Sequence, residues 1–149
     1  MTDSPDQNTD PTPDPPGAST DAHDFAMHAA RLLADCKCED VVVQDLRGLS
    51  QVTDFYVIVT GTSQRQIHSV ADDLKRLARA EGHTPMGIHG DGASTWVVAD
   101  FVDVVVHLFD SHTRSYYDLE SLWAEAKRVD WRAATEPGQF THLLSRAAG

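Results

Sequence analysis

The residues 54–74, DFYVIVTGTSQRQIHSVADDL, place an apolar run against a glycine turn and then open a helix. Phosphate-binding loops are built in that layout. A Walker-type loop ends in Gly-Lys-Ser/Thr, where the lysine meets phosphate charge, and a dinucleotide loop spaces three glycines. Gly61-Thr62-Ser63 has one glycine and no lysine. Ser63-Gln64-Arg65-Gln66 instead fits a capping box: the Ser63 hydroxyl accepts from the third helical amide and Gln66 reaches back to the cap. Arg65 leaves anion binding at this helix start as the minority reading.

Metal-assisted phosphoryl transfer needs two carboxylates converging on one strand to hold the ions. Asp72 and Asp73 are adjacent and helical, and Asp100 and Asp103 flank a turn, so that pair is missing. The eight histidines show no zinc spacing. His107 lies within a strand, where a packed or partner-facing imidazole is the plain reading. Cys36 and Cys38 are two apart, a poor disulfide and too few thiols for a tetrahedral zinc site. They are expected to be reduced and inert. No enzyme activity, cofactor or metal is expected.

The elements that must position these residues follow from periodicity. Ala26, Ala29, Ala30, Leu33 and Ala34 repeat at three and four, with Asp21 or Asp24 as cap. EDVVVQDL and TDFYVIVT are strands on either side of a turn at Arg47-Gly48-Leu49-Ser50. Ile67, Val70, Ala71, Leu74, Leu77 and Ala78 share one helix face, and Gly82 stands where a C-terminal glycine belongs. TPMGIH is a short strand, which makes a strand–helix–strand crossover between parallel strands. TWVVAD and DVVVHLF form a hairpin, and SHTRSYYDLESLWAEAK is a last helix with Tyr116, Leu119 and Trp123 on one face. The fold class is α/β: a mixed sheet of about five strands with packed helices.

The hairpin is the most informative element. With Phe101-Val102 as its turn, Ala99 pairs with Val104 and Trp96 with His107. One face then carries Val97, Ala99, Val104, Val106 and Leu108, compact aliphatics suited to a core. The other carries Trp96, Val98, Val105, His107 and Phe109, with Phe101 at the tip. Both faces are apolar and want cover. If helices do not cover the aromatic one, it is an interface, because exposed Trp and Phe anchor partners.

Charge narrows the partner. The formal net charge is −11, and the six aspartates of residues 1–24 leave −5 for the rest. Direct nucleic-acid binding is not expected, since phosphate affinity comes from Lys and Arg clusters; a basic protein partner fits better. No apolar run approaches the roughly 20 residues of a membrane span, and no secretory signal opens the chain. Residues 1–20 read as a disordered acidic Pro-rich tail, 21–130 as the domain, and 131–149 as a partly disordered C-terminal tail.

Several motifs together resemble the ribosomal silencing factor, or Iojap-like, family: Asp-Leu-x-Gly, Thr-Asp-x-x-Val-Ile, Gly-Thr-Ser-x-Arg-x-Ile, Trp-Val, Val-Val-His and Tyr-Tyr-Asp-Leu-Glu-x-Leu-Trp. They run from about Ala26 to Trp123. The resemblance implies a nucleotidyltransferase-like fold without transferase activity. It implies a cytoplasmic protein that binds the large ribosomal subunit through its ribosomal protein fourteen, blocks joining of the small subunit and so represses translation. A homodimer is also implied. The alternatives are a divergent nucleotidyltransferase and a large-subunit assembly factor. By motif position the partner-binding residues are Trp96, Phe101, His107, Phe109, Arg114 and Tyr117. Two positions depart from the family pattern. Val102 replaces a usual glycine, which implies another turn type and puts the hairpin register at stake. Asp91-Gly92 stands for the usual Glu-Gly.

Overall fold

The computed structural model describes residues 20–90, 93 and 95–144. The tail 1–20 apart from Thr20, the Asp91-Gly92 pair and the last five residues of the 131–149 segment lie outside them. The elements are α1 (Ala22–Asp35), β1 (Glu39–Asp45), β2 (Phe55–Thr60), α2 (Gln64–Ala80), β3 (Gly87–Gly90), β4 (Trp96–Asp100), β5 (Val104–Phe109), α3 (Ser111–Tyr117), β6 (Lys127–Arg128) and α4 (Trp131–Ala134). A 3-10 turn covers Leu119–Trp123 and another Thr141–Leu143. No helix among the described residues is long and apolar enough to cross a membrane.

The strands form one mixed sheet in the order β3-β4-β5-β2-β1-β6. Six strands replace the five expected. The sixth is two charged residues with no apolar alternation, recruited when Gln44 and Asp45 pair with Arg128 and Lys127. Pairing is antiparallel throughout except between β2 and β5 at the centre. β3 runs parallel to β2 as the crossover requires, but β5 and β4 lie between them.

Alternation sorts the side chains to two faces. Val43, Phe55, Val57, Val59, Val97, Ala99, Val104, Val106 and Leu108 join Phe25, Leu33, Ile67, Leu74 and Leu77 of α1 and α2 in the main core. The compact face of the hairpin is thus the buried one. The core also takes Trp131 and Phe140, at 3% and 7% exposure, from the segment read as a tail. Their anchoring is polar as well as apolar: Trp131 Nε1 donates to the Val41 carbonyl at 3.3 Å, and the ring lies under the Arg31 and Arg132 guanidiniums.

Both long helices are capped. Asp21 accepts from the Asp24 amide at the start of α1, and Ser63 accepts from the Gln66 amide at 3.0 Å at the start of α2. Gln66 reaches back to the amide of Thr62, one residue before the cap, and donates to the Cys36 carbonyl at 2.8 Å. Gly82 has φ +78 and closes α2, with His83 N–H donating to the Ala78 carbonyl at 2.8 Å and Gly82 N–H to Arg79 at 3.3 Å. That is the paired bonding of a Schellman end.

Three local features differ from the sequence reading. The hairpin pairs Trp96 with Phe109 and Ala99 with Val106, two residues away from the expected register. Its turn is Val102-Asp103, where Phe101 N–H donates to Val104 O and Asp103 N–H to Phe101 O, both at 2.9 Å. With Val102 at φ +73 this is a γ-turn of the left-handed kind, a strained form. The strain is held because the Asp100 carboxylate accepts from Val102 N–H, and Asp103 O accepts from the Asp54 and Phe55 amides of the β2 start. Second, the last helix breaks: Asp118 takes φ 48 after one short α-helix, and the chain goes on as a 3-10 turn. Third, Phe101 lies on the core face, edge-on to Phe25, because the two-residue shift takes it out of the turn and places it just beyond β4, its N–H donating to Val104 O.

Two stability outcomes follow. Ser63→Ala removes the α2 cap and lowers stability by about 0.5–2 kcal/mol in urea unfolding; no loss would show that the cap bond is not formed. Val102→Gly relieves a β-branched residue from the left-handed region, which costs an L-residue roughly 1–2 kcal/mol. Glycine returns part of that through its looser unfolded chain. We expect a net gain of about 0.5–1 kcal/mol, and a loss of stability in the same assay would mean the turn is not strained.

Candidate aromatic interface

The Gly61 turn does not form a phosphate cradle. A Cβ on Gly61 would collide with Ile67 in the first turn of α2, so packing against that helix requires the glycine. The hollow beside it, about 470 Å³, is lined by Glu39, Thr60, Thr62, Ser63, Thr95 and Asp110 among others, with no Lys or Arg. Such a wall repels phosphate. Asp21, His23 and Asp24 bring three potential metal ligands within 4.8 Å of one another, but His23 is only half-buried, the carboxylates face solvent, and Asp21 serves as the α1 cap. Cys38 is buried, and burial pushes its thiol up to about 12, with the neighbouring Cys36 and Glu39 adding to the rise. The Cys38 thiol is therefore uncharged at neutral pH and a poor nucleophile.

The second sheet face is where unusual residues gather. The helices α1 and α2 leave it open, and α3 with the Leu119–Trp123 turn covers only part of it. The cover is held by two side chains. Gln44 donates to the carbonyls of Glu120 at 3.1 Å and Trp123 at 3.4 Å. Arg114 donates to the Asp40 carbonyl at 2.6 Å, to Thr60 Oγ1 at 3.0 Å and to the Glu120 carboxylate at 2.8 Å. Arg114 is buried and bonded internally, so it orients α3 from inside.

Around this cover the rings build a layered stack. Phe109 is fully buried at the bottom. Trp96 lies on it with ring centroids 4.8 Å apart, and Tyr117 lies on Trp96 at 4.9 Å. Tyr116 meets Tyr117 edge-on at 5.0 Å. Tyr116, Tyr117 and Leu122 are 74%, 54% and 63% exposed, while Trp96, Val98, Val105 and Tyr56 are half-buried. Large apolar side chains exposed together on one face mark an interaction surface.

His107 fixes the stack's orientation. Trp96 Nε1 can only donate, and it donates to His107 Nδ1 at 3.1 Å. The imidazole must therefore be neutral with its proton on Nε2, which is buried with no partner among the described residues. Burial agrees, holding the His107 pKa down to about 4. His107 is a positioning residue: it locks the indole ring rather than meeting solvent.

Of the six residues expected to meet a partner, Trp96 and Tyr117 stand at the surface. Phe109 and His107 support them from below. Phe101 and Arg114 are not at the surface: the first packs in the core under α1 and the second is buried and bonded internally. Sequence reasoning missed Tyr56, Tyr116 and Leu122. The sequence pattern puts Tyr116 on one helix face with Leu119 and Trp123; the break at Asp118 ends that periodicity, and Tyr116 stands outward.

The family described as "Ribosomal silencing factor during starvation" matches residues 19–146. "Ribosomal silencing factor RsfS" of Halalkalibacterium halodurans is 37% identical over 102 residues, 68% of this chain and 87% of that protein. The protein of the same name from Bacillus subtilis is 37% identical over 102 residues, 68% of this chain and 86% of that protein. A crystal structure of a protein from Chromobacterium violaceum superposes with a TM-score of 0.66 at 30% identity, covering 70% of this chain and 88% of the other. Matched by the family model over residues 19–146, nearly the whole described length, this chain belongs to the ribosomal silencing factor family.

Proposed function

We propose that this protein associates with the ribosome and represses translation, by binding the large subunit through its ribosomal protein fourteen and keeping the small subunit from joining. The observation that carries the reading is the exposed stack of Trp96, Tyr117 and Tyr116 on a sheet face that the chain's own helices leave open. The names of the relatives support ribosome silencing over catalysis. The acidic wall of the Gly61 hollow weighs against a nucleotidyltransferase. The negative net charge suits a basic ribosomal protein as the docking partner. A chain docked on that ribosomal protein covers the surface the small subunit needs, so occupancy alone gives repression. Cytoplasmic location follows from the same partner. A homodimer would have to use another surface or give way to the ribosomal protein.

The test is co-sedimentation with purified subunits and unfolding of the same variants. Trp96→Ala and Tyr117→Ala each weaken binding to large subunits, Trp96 by about thirtyfold or more, as an anchor worth 2 kcal/mol would. Phe109→Ala instead unfolds the protein by about 3–5 kcal/mol, as fully buried rings do. Binding to small subunits alone, or wild-type affinity in the Trp96 and Tyr117 variants, would sink the proposal.

A further inference from the structure

A second feature lies on the same sheet face, at its far edge. Arg128 of β6 pairs with Gln44 of β1, and Gln44 pairs in turn with Tyr56 of β2. Directly paired residues project to one face. Arg128 therefore stands in the same row as Tyr56, two strands away or roughly 10 Å. Beside it a hollow of about 450 Å³ is lined by Asp40, Val42, Arg114, Glu120, Arg128 and Arg132. Three guanidiniums thus converge in a chain of net charge −11.

Their bonding differs. Arg114 is bonded to Asp40 O, Thr60 and Glu120, and it takes up the Glu120 carboxylate that would otherwise oppose an anion. Arg128 and Arg132 are exposed and have no carboxylate partner among the described residues. Arg132 is pre-oriented by the anchored Trp131 ring, its guanidinium carbon 4.5 Å from the centroid, and Arg128 leaves a backbone fixed by its pairing with Gln44. Pre-orientation lowers the ordering cost of binding. A rigid guanidinium fork matches phosphate oxygens two at a time. Asp40 at the rim leaves a modest local excess of positive charge, suited to one or two phosphates and not to a long electrostatic track.

We infer that Arg128 and Arg132 clamp a backbone phosphate of RNA that borders the protein docked on the aromatic stack. The proposal rests on the ribosomal reading above. It revises the expectation from net charge that no nucleic acid is touched: charge averaged over the chain conceals three arginines brought together by β6, α3 and α4.

The test is the salt dependence of binding to purified large subunits, with the double variant Arg128→Gln, Arg132→Gln. Each phosphate contact contributes about 0.7–0.9 to the slope of log affinity against log salt. The double variant should flatten that slope by about 1 and bind about tenfold more weakly at low salt. Trp96→Ala should weaken binding at unchanged slope. An unchanged slope in the double variant overturns the inference. So does an equal loss of affinity for the isolated ribosomal protein, which would assign the clamp to a protein carboxylate. A second arm reads the site without the ribosome: a short RNA hairpin should shift the Nε–Hε resonances of Arg128 and Arg132, and poly-glutamate should not. If wild type fails to bind subunits yet these signals respond to RNA, the ribosomal reading falls and the clamp stands. If they do not respond, the clamp falls.

Discussion

The buried guanidinium of Arg114 organises everything on the working face. It bridges three elements that have no covalent reason to meet: the bulged start of β1 at Asp40, the end of β2 at Thr60, and the 3-10 turn at Glu120. A buried charge is expensive unless its hydrogen bonds are filled. Here the Glu120 carboxylate, a hydroxyl and a carbonyl fill them. Because Arg114 is in α3, this network fixes the angle at which the helix leaves the sheet. Tyr116 and Tyr117 follow three positions at most along the same short helix. Their outward placement is a consequence of an inward-facing arginine.

The two sheet faces illustrate how one strand pair serves two tasks. On the core face, valine and alanine leave room for α1 and α2 to approach. On the other, rings are stacked in depth, so that each exposed ring rests on a more buried one. Phe109 supports Trp96, and Trp96 supports Tyr117. A ring supported this way has little freedom to lose when a partner arrives, and its energy goes into contact rather than ordering. The hydrogen bond from Trp96 to neutral His107 adds an angular constraint that stacking alone does not give.

Much of this was legible in the residues, for physical reasons that also mark the limit. The α2 face, its Ser63 cap and its Gly82 end are local signals, and they survive intact. The division of the hairpin into compact and aromatic faces also survives. The register slipped by two, and two is the period of a strand, so every side chain kept its face. The same slip moved Phe101 from a supposed tip into the core. Less legible were features set by distant partners. Nothing near Asp118 announces a left-handed residue in the middle of a helical pattern. Lys127-Arg128 becomes a strand only because β1 offers an edge. Trp131 and Phe140 look like residues in a fading tail until α1 is placed beside them. Arg114 read as a surface contact because no local rule shows that Asp40, Thr60 and Glu120 converge on it.

The sheet order has a consequence for how the chain reaches this state. β1 with β2 is a hairpin, and β3, β4 and β5 form a meander, so each group closes through short loops. The two groups meet only at the parallel ladder from Phe55↔Val104 to Thr60↔Phe109. Closing that ladder requires an ordering of nearly fifty intervening residues, including α2, before any of its bonds reward the loss of chain freedom. Long-range parallel pairing of this kind slows folding relative to local contacts. The seam between β2 and β5 is therefore the entropically costly step of assembly, and the ring contact that crosses it, Tyr56 against His107 with centroids 4.5 Å apart, forms only once the two halves have joined.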